Sequence, residues 1–187
     1  MRSTFLFLMI ATIACLAEPV NLVEKGDFEA PAKELAKLFS GRGKLSFIQE
    51  EIGDNHCAKV EIAKMTKDDK GIETAAANII VKIPGAKANR TYVISFDIMG
   101  TAPRFMLHVN QKGVGRLDVK MLQPNKSATY YEITPDWKEI KGTFRPKQDG
   151  DCSITISLWH STRYGKMFYS VGDYALVDNI EVIERKK

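Results

Sequence analysis

Cysteine is scarce: three in 187 residues. That is too few for a disulfide-built mini-protein, and a chain this long buries enough apolar surface to fold without staples or a structural metal. One-signed charge is also scarce. Lys plus Arg number 27 against 23 Asp plus Glu, a formal net charge of +4. That excess lacks the dense basic face expected of a nucleic-acid binder, so no nucleic-acid partner is expected. With 13 Gly and 7 Pro, collagen and low-complexity arrays are excluded. Catalytic signatures are missing too. There is no G-x-S-x-G elbow, no H-E-x-x-H metal spacing, no phosphate loop and no dinucleotide fingerprint. His56, His108 and His160 are widely scattered.

Long apolar runs are absent except at the start. Met1 to Ala17 reads MRSTFLFLMIATIACLA, with Arg2 as its only charge. A short basic start, an apolar stretch and a small-residue exit describe a secretory signal, and the stretch is too short for a transmembrane helix. Residues 1–17 are therefore read as a signal peptide and 18–187 as one exported domain, secreted, periplasmic or on the cell surface. Thr12-Ile13-Ala14-Cys15 loosely matches a lipoprotein cleavage box, which makes Cys15 a candidate lipid anchor. Cys57 and Cys152 remain, and export would permit their pairing. Strand parity opposes it, placing Cys152 with Ile154, Ile156 and Leu158 but Cys57 with Lys59 and Glu61.

What is present is alternation with a period of two. Strands are expected at Lys44–Ile52, around Ala58–Ile62, at Ile79–Ile83, Tyr92–Met99, Arg104–Asn110, Leu117–Met121, Trp137–Phe144, Cys152–Leu158 and Tyr174–Ile183. Pro84-Gly85 and Asp149-Gly150 read as turns. One helix is expected over Pro31–Phe39, with Ala32, Leu35, Ala36 and Phe39 on one face. Many short, cleanly alternating strands predict an all-β fold, an antiparallel sandwich or jelly roll.

Four segments in order carry a family likeness: NLVEKGDFEA (Asn21–Ala30), TYVISF (Thr91–Phe96), ITPDWKEIKGTF (Ile133–Phe144) and YALVDNIEVIE (Tyr174–Glu184). Together they resemble the carbohydrate-binding modules of the CenC type (families 4, 9 and 22), which are galactose-binding-like jelly rolls often attached to glycoside hydrolases. The resemblance covers essentially all of the exported part; Gly113–Tyr131 is longer than the pattern. It implies that the N-terminal strand lies beside the last, with structural calcium near that junction. The matching positions are Asp27, Glu29 and Asp178, although Asn179 stands where a second Asp is common. Parity places Asp178 with Leu176, Ile180 and Val182, pointing inward. There its carboxylate needs compensation, by Ca²⁺ or by backbone N–H groups.

The resemblance also implies a glycan or polysaccharide ligand on a sheet face or at the loop rim. Parity opposite to the core gathers Asp97, Arg104, His108, Asn110, Ser157 and Trp159, if their strands share a sheet, with His160, Arg163 and Tyr164 in a polar loop after Trp159. Stacking on Trp159 and Tyr164 with hydrogen bonds from Asp97, His108, Asn110 and Arg163 is the expected binding mode, and Asp97 could pair with Arg104. Trp137 is expected to pack. Tyr130 and Tyr131 either line or anchor the long loop. The leading reading is a non-catalytic module accessory to glycoside hydrolysis or glycan attachment. A small secreted glycoside hydrolase or lyase and a protein-interaction module are the alternatives.

Overall fold

The computed structural model describes residues 20–49, 55–122 and 130–185. The expected signal peptide, the Cys15 anchor and the middle of the long loop lie outside the described residues. In chain order the elements are α1 (Ala32–Leu38), β1 (Phe39–Arg42), β2 (Lys44–Gln49), β3 (His56–Glu61), β4 (Met65–Lys67), β5 (Glu73–Ala86), β6 (Tyr92–Gly100), β7 (Arg104–Gln111), β8 (Gly115–Leu117), β9 (Lys120–Met121), β10 (Tyr131–Glu132), β11 (Lys138–Phe144), β12 (Gly150–Ser161), a 3₁₀ turn (Thr162–Tyr164) and β13 (Tyr174–Glu184).

The strands form two antiparallel sheets. One runs β1-β5-β12-β7-β10, with β4 also on β5 and β8 also on β7. The other runs β2-β3-β13-β6-β11-β9. Alternation makes each sheet apolar on one side, and the two apolar sides face each other. Ile94, Phe96 and Ile98 of β6 and Val177 and Val182 of β13 pack with Phe105, Leu107 and Val109 of β7 and Ile154, Ile156 and Leu158 of β12. Phe96 meets Phe105 edge-on between the sheets, centroids 5.8 Å apart. Burying each such side chain stabilises by about 1.5–3 kcal/mol, so this face fixes the register of both sheets. Leu35 of α1 is buried, and Phe28, Phe39 and Phe47 cluster beside it in the core.

The sequence-predicted elements differ in four places. Pro84-Gly85 is not a turn: β5 runs through it to Ala86, and the register shifts there between Gly150 and Cys152. Gly85 (φ +64°) supplies this irregularity, and the chain reverses instead after Ala86, near Asn89 (φ 60°). The expected strand Leu117–Met121 splits, because the chain crosses between sheets there: β8 pairs with β7, and β9 with β11. The short strands β1, β4 and β10 were not legible, being too brief to alternate. Trp137, expected to pack, keeps 37% of its surface exposed just before β11.

The resemblance-based placement of the chain ends holds. Asn21 bridges to Ile183, Leu22 N–H donates to Val182 O at 2.9 Å, and Val182 N–H donates to the Asn21 side chain at 2.9 Å. Ile180 N–H donates to Gly26 O at 2.8 Å. A Cβ on Gly26 would sit 2.0 Å from Ile180 O, so only glycine permits this approach.

Candidate functional site

The outer face of the β1-β5-β12-β7 sheet collects small polar groups in cross-strand rows. One row runs Arg42–Asn78–Ser157–Met106. The next runs Ser40–Ile80–Thr155–His108, and a third Lys82–Ser153–Asn110–Arg116. Toward the other end Trp159 lies opposite Ala76, and Ser161 opposite Thr74. Cross-strand neighbours stand about 5 Å apart at Cβ, so each row acts as one strip. Asn78 is held by accepting from Arg42 N–H at 2.8 Å.

At that end Trp159 is half-buried and its ring lies 5.8 Å from the ring of Tyr164, tilted 53°. Tyr164 is 68% exposed. The 3₁₀ turn presents it, capped where Ser161 Oγ accepts from Arg163 N–H. A hollow of about 210 Å³, lined by Gly43, Ala63, Lys64, Thr66, Thr74 and Ala76, opens beside Trp159. Two aromatic rings, a hollow lined by small side chains and strips of hydroxyl and amide groups suit a ring-shaped, hydroxyl-rich ligand. A second cleft, of about 230 Å³, is mainly apolar and bounded by Leu22, Leu38, Val81, Ile83 and Cys152. Glu24, Lys82 and Asp151 also line it.

His108 is half-buried and its buried Nδ1 has no hydrogen-bond partner. Burial pushes its pKa down, and the nearby Arg116 adds to the effect. The ring is therefore neutral near pH 7, with one nitrogen able to donate and the other to accept.

Trp159, His108, Asn110 and Arg104 do share this sheet, and Arg163 and Tyr164 follow directly. Asp97 does not join them. It lies on β6 in the other sheet, facing away from the core, and accepts from Asn179 Nδ2 at 3.0 Å. The condition that the three strands share a sheet fails for β6, so no Asp97–Arg104 pair forms. Arg104 instead lays its guanidinium 5.2 Å from the centroid of Phe168, and its carbonyl accepts from Tyr169 Oη at 2.9 Å. His160 is not in a loop: β12 continues to Ser161, and His160 is buried against Phe168 with Nδ1 3.2 Å from Tyr130 Oη. Tyr130 and Tyr131 anchor the end of the long loop, Tyr131 packing on Phe105.

Parity alone could have found Asn78 and Thr155. Arg42 and Arg116 were missed because β1 and β8 are too short to recognise.

Asp178 faces outward, not inward. After Asp178↔Asp97 the register jumps to Glu181↔Ser95, one extra residue on β13, with Asn179 at φ 50°. This bulge reverses the phase, so Ala175 and Val177 share the core face with Ile180 and Val182. Asp178 is nonetheless 2% exposed, and Cys57, also facing away from the core, is 0% exposed. Cys57 and Cys152 are not joined. The Asp178 carboxylate accepts from Asn55 Nδ2 at 2.9 Å and Asn179 N–H at 2.7 Å. Burial pushes its pKa up against these two donors, with Asp97 and Glu29 adding to the rise.

Two of the residues expected to hold calcium, Asp27 and Glu29, make hydrogen bonds of their own. Asp27 accepts from Glu29 N–H at 3.4 Å. Glu29 accepts from His56 N–H and lies 3.0 Å from His56 Nδ1, contacts that hold its carboxyl below the usual range. Among the described residues no three acidic, histidine or cysteine side chains come together as metal ligands. Nor is any helix among them long and apolar enough to cross a membrane.

No protein-family model matches the sequence, and no curated protein matches it. Solved structures do match the fold. The CBM22-1 xylan-binding domain of Xyn10C from Paenibacillus barcinonensis superposes with a TM-score of 0.56 at 14% identity, over 90% of this chain and 97% of that one. TmCBM61, solved in complex with β-1,4-galactotriose, gives 0.54 at 13% identity, over 89% and 99%. The chain thus has the antiparallel β-sandwich fold of the carbohydrate-binding modules.

Proposed function

We propose that this chain is a non-catalytic polysaccharide-binding module that uses the outer face of the β1-β5-β12-β7 sheet. The observation that carries it is the pair of rings, Trp159 and Tyr164, beside a hollow and in line with strips of uncharged hydrogen-bonding side chains. Sugar C–H faces pack on the rings, and hydroxyls exchange hydrogen bonds with Asn78, Asn110, His108 and Arg163. The neighbours' ligands, xylan and β-1,4-galactotriose, support a glycan of this kind.

The module would be exported through residues 1–17 and hold a partner or a cell surface near polysaccharide, raising effective concentration. N-terminal sequencing of the secreted protein, starting at Glu18 or at a lipidated Cys15, distinguishes the two forms of export.

Glycan-array binding followed by calorimetry on Trp159→Ala tests the function. The expected result is loss of at least about tenfold in affinity, the order of one stacking contact, with an unchanged melting temperature. Full retained affinity removes Trp159 from the site, and no glycan bound by the wild type removes the reading.

A further inference from the structure

The two outer faces of the sandwich treat charge differently. On the outside of the β2-β3-β13-β6-β11 sheet, cations are matched: Lys44 and Lys59 pair with Glu61, and Lys141 pairs with Glu139. The candidate site face carries Arg42, Lys82, Arg104 and Arg116, all exposed. None of these four forms an ion pair with a described residue, although eight such pairs form elsewhere.

The carboxylates within reach do not neutralise them. Glu132 stands opposite Arg104 in register without pairing. Asp151 is engaged at the end of β12, accepting from Gly85 N–H, and Glu73 pairs with Lys67. Asp118, beyond β8, is exposed and forms no ion pair with a described residue. Four cations on one face thus lack ion-pair partners among the described residues.

The arrangement is ordered. Arg42 on β1 and Arg116 on β8 stand at opposite edges, four strand spacings (about 19 Å) across the sheet and four residues (about 13 Å) along it, so roughly 23 Å apart. Between them lie Asn78, Ser153, Thr155 and Asn110, all uncharged. A polymer crossing the strands would meet hydrogen-bonding groups along its length and a guanidinium at each side. Guanidinium groups bind planar oxyanions through two parallel hydrogen bonds.

Resting on the glycan-binding reading above, we propose that the ligand class is an acidic polysaccharide. Its uronate carboxylates are taken by Arg42 and Arg116, and its hydroxyls by the polar rows between them. Lys82 and Arg104 add to the field that draws the anionic chain onto this face.

The test uses the full exported chain and isothermal titration with four probes: oligogalacturonate, a β-1,4-galacto-oligosaccharide of equal length, a sulfated dextran oligosaccharide and single-stranded DNA. Oligogalacturonate is expected to bind at least about tenfold tighter than the neutral oligosaccharide, and to lose most of that advantage in half-molar salt. Arg116→Gln and Arg42→Gln are expected to remove the preference for the acidic chain at an unchanged melting temperature, both side chains being exposed. Tighter binding of the sulfated glycan keeps the oxyanion assignment and replaces carboxylate by sulfate ester. Equal, salt-insensitive binding of acidic and neutral glycans overturns this inference and leaves the glycan reading standing. Binding of DNA as tight as oligogalacturonate shows a generic cationic surface and overturns it. Binding of no glycan at all overturns the reading beneath it.

Discussion

Replacing Gly26 by alanine tests how the chain ends are locked. The new Cβ would lie 2.0 Å from Ile180 O, 2.9 Å from Ile180 C and 3.2 Å from Val23 Cγ1. Two of these three atoms are backbone, so relief requires the N-terminal segment to lift off the β13 bulge. That separation breaks the 2.8 Å bond from Ile180 N–H to Gly26 O, worth about 1 kcal/mol. It also loosens Phe28, fully buried with its ring 4.8 Å from Phe39 and 5.8 Å from Phe47. Aromatic pairs contribute about 0.5–1.5 kcal/mol each beyond their burial. The total is about 3 kcal/mol, and at about 2–4 °C per kcal/mol for a domain of this size Tm should fall by roughly 6–12 °C. Differential scanning calorimetry reads this directly. Gly71→Ala is the control: its φ is +77° but the nearest atom to its Cβ is 3.7 Å away, so only backbone strain of about 1 kcal/mol is expected. Equal melting of Gly26→Ala and wild type, or a larger loss at Gly71 than at Gly26, would refute the locking argument.

Asp178 supplies a pH-dependent test. Its folded pKa is raised, chiefly by burial. The stability linked to this group is fully present below the ordinary aspartate pKa and is lost as pH rises through the folded value. Asp178→Asn should therefore match wild type in urea midpoint near pH 3.5 and exceed it at pH 7.5. A variant weaker than wild type at pH 7.5 would show that the charged form is the stabilised one. Asn55 and Asn179 already donate to the carboxylate, so EDTA should leave Tm unchanged, and a fall of several degrees would show calcium at this junction.

Much of the fold was legible because a buried face leaves a period of two in any strand long enough to repeat it. Tyr92–Gly100 shows this, as does Cys152, correctly placed in the core by its neighbours. Parity failed where the backbone broke phase: one extra residue at Asn179 turned Asp178 to the other side of its sheet. Of the candidate site, Trp159, His108 and Asn110 were readable as one face, since β7 and β12 proved to be neighbours. Arg42 and Arg116 were not, because strands of three or four residues carry no period of their own.

The sequence by itself determined that this is an antiparallel sandwich and, where the backbone keeps phase, which side of each long strand is dry, because alternation is a local consequence of burial. Only the tertiary structure decided which strands share a sheet. That pairing depends on contacts far apart in the chain, and it removed Asp97 from the site face. It also set Arg42 and Arg116 at opposite edges of one surface without carboxylate partners among the described residues.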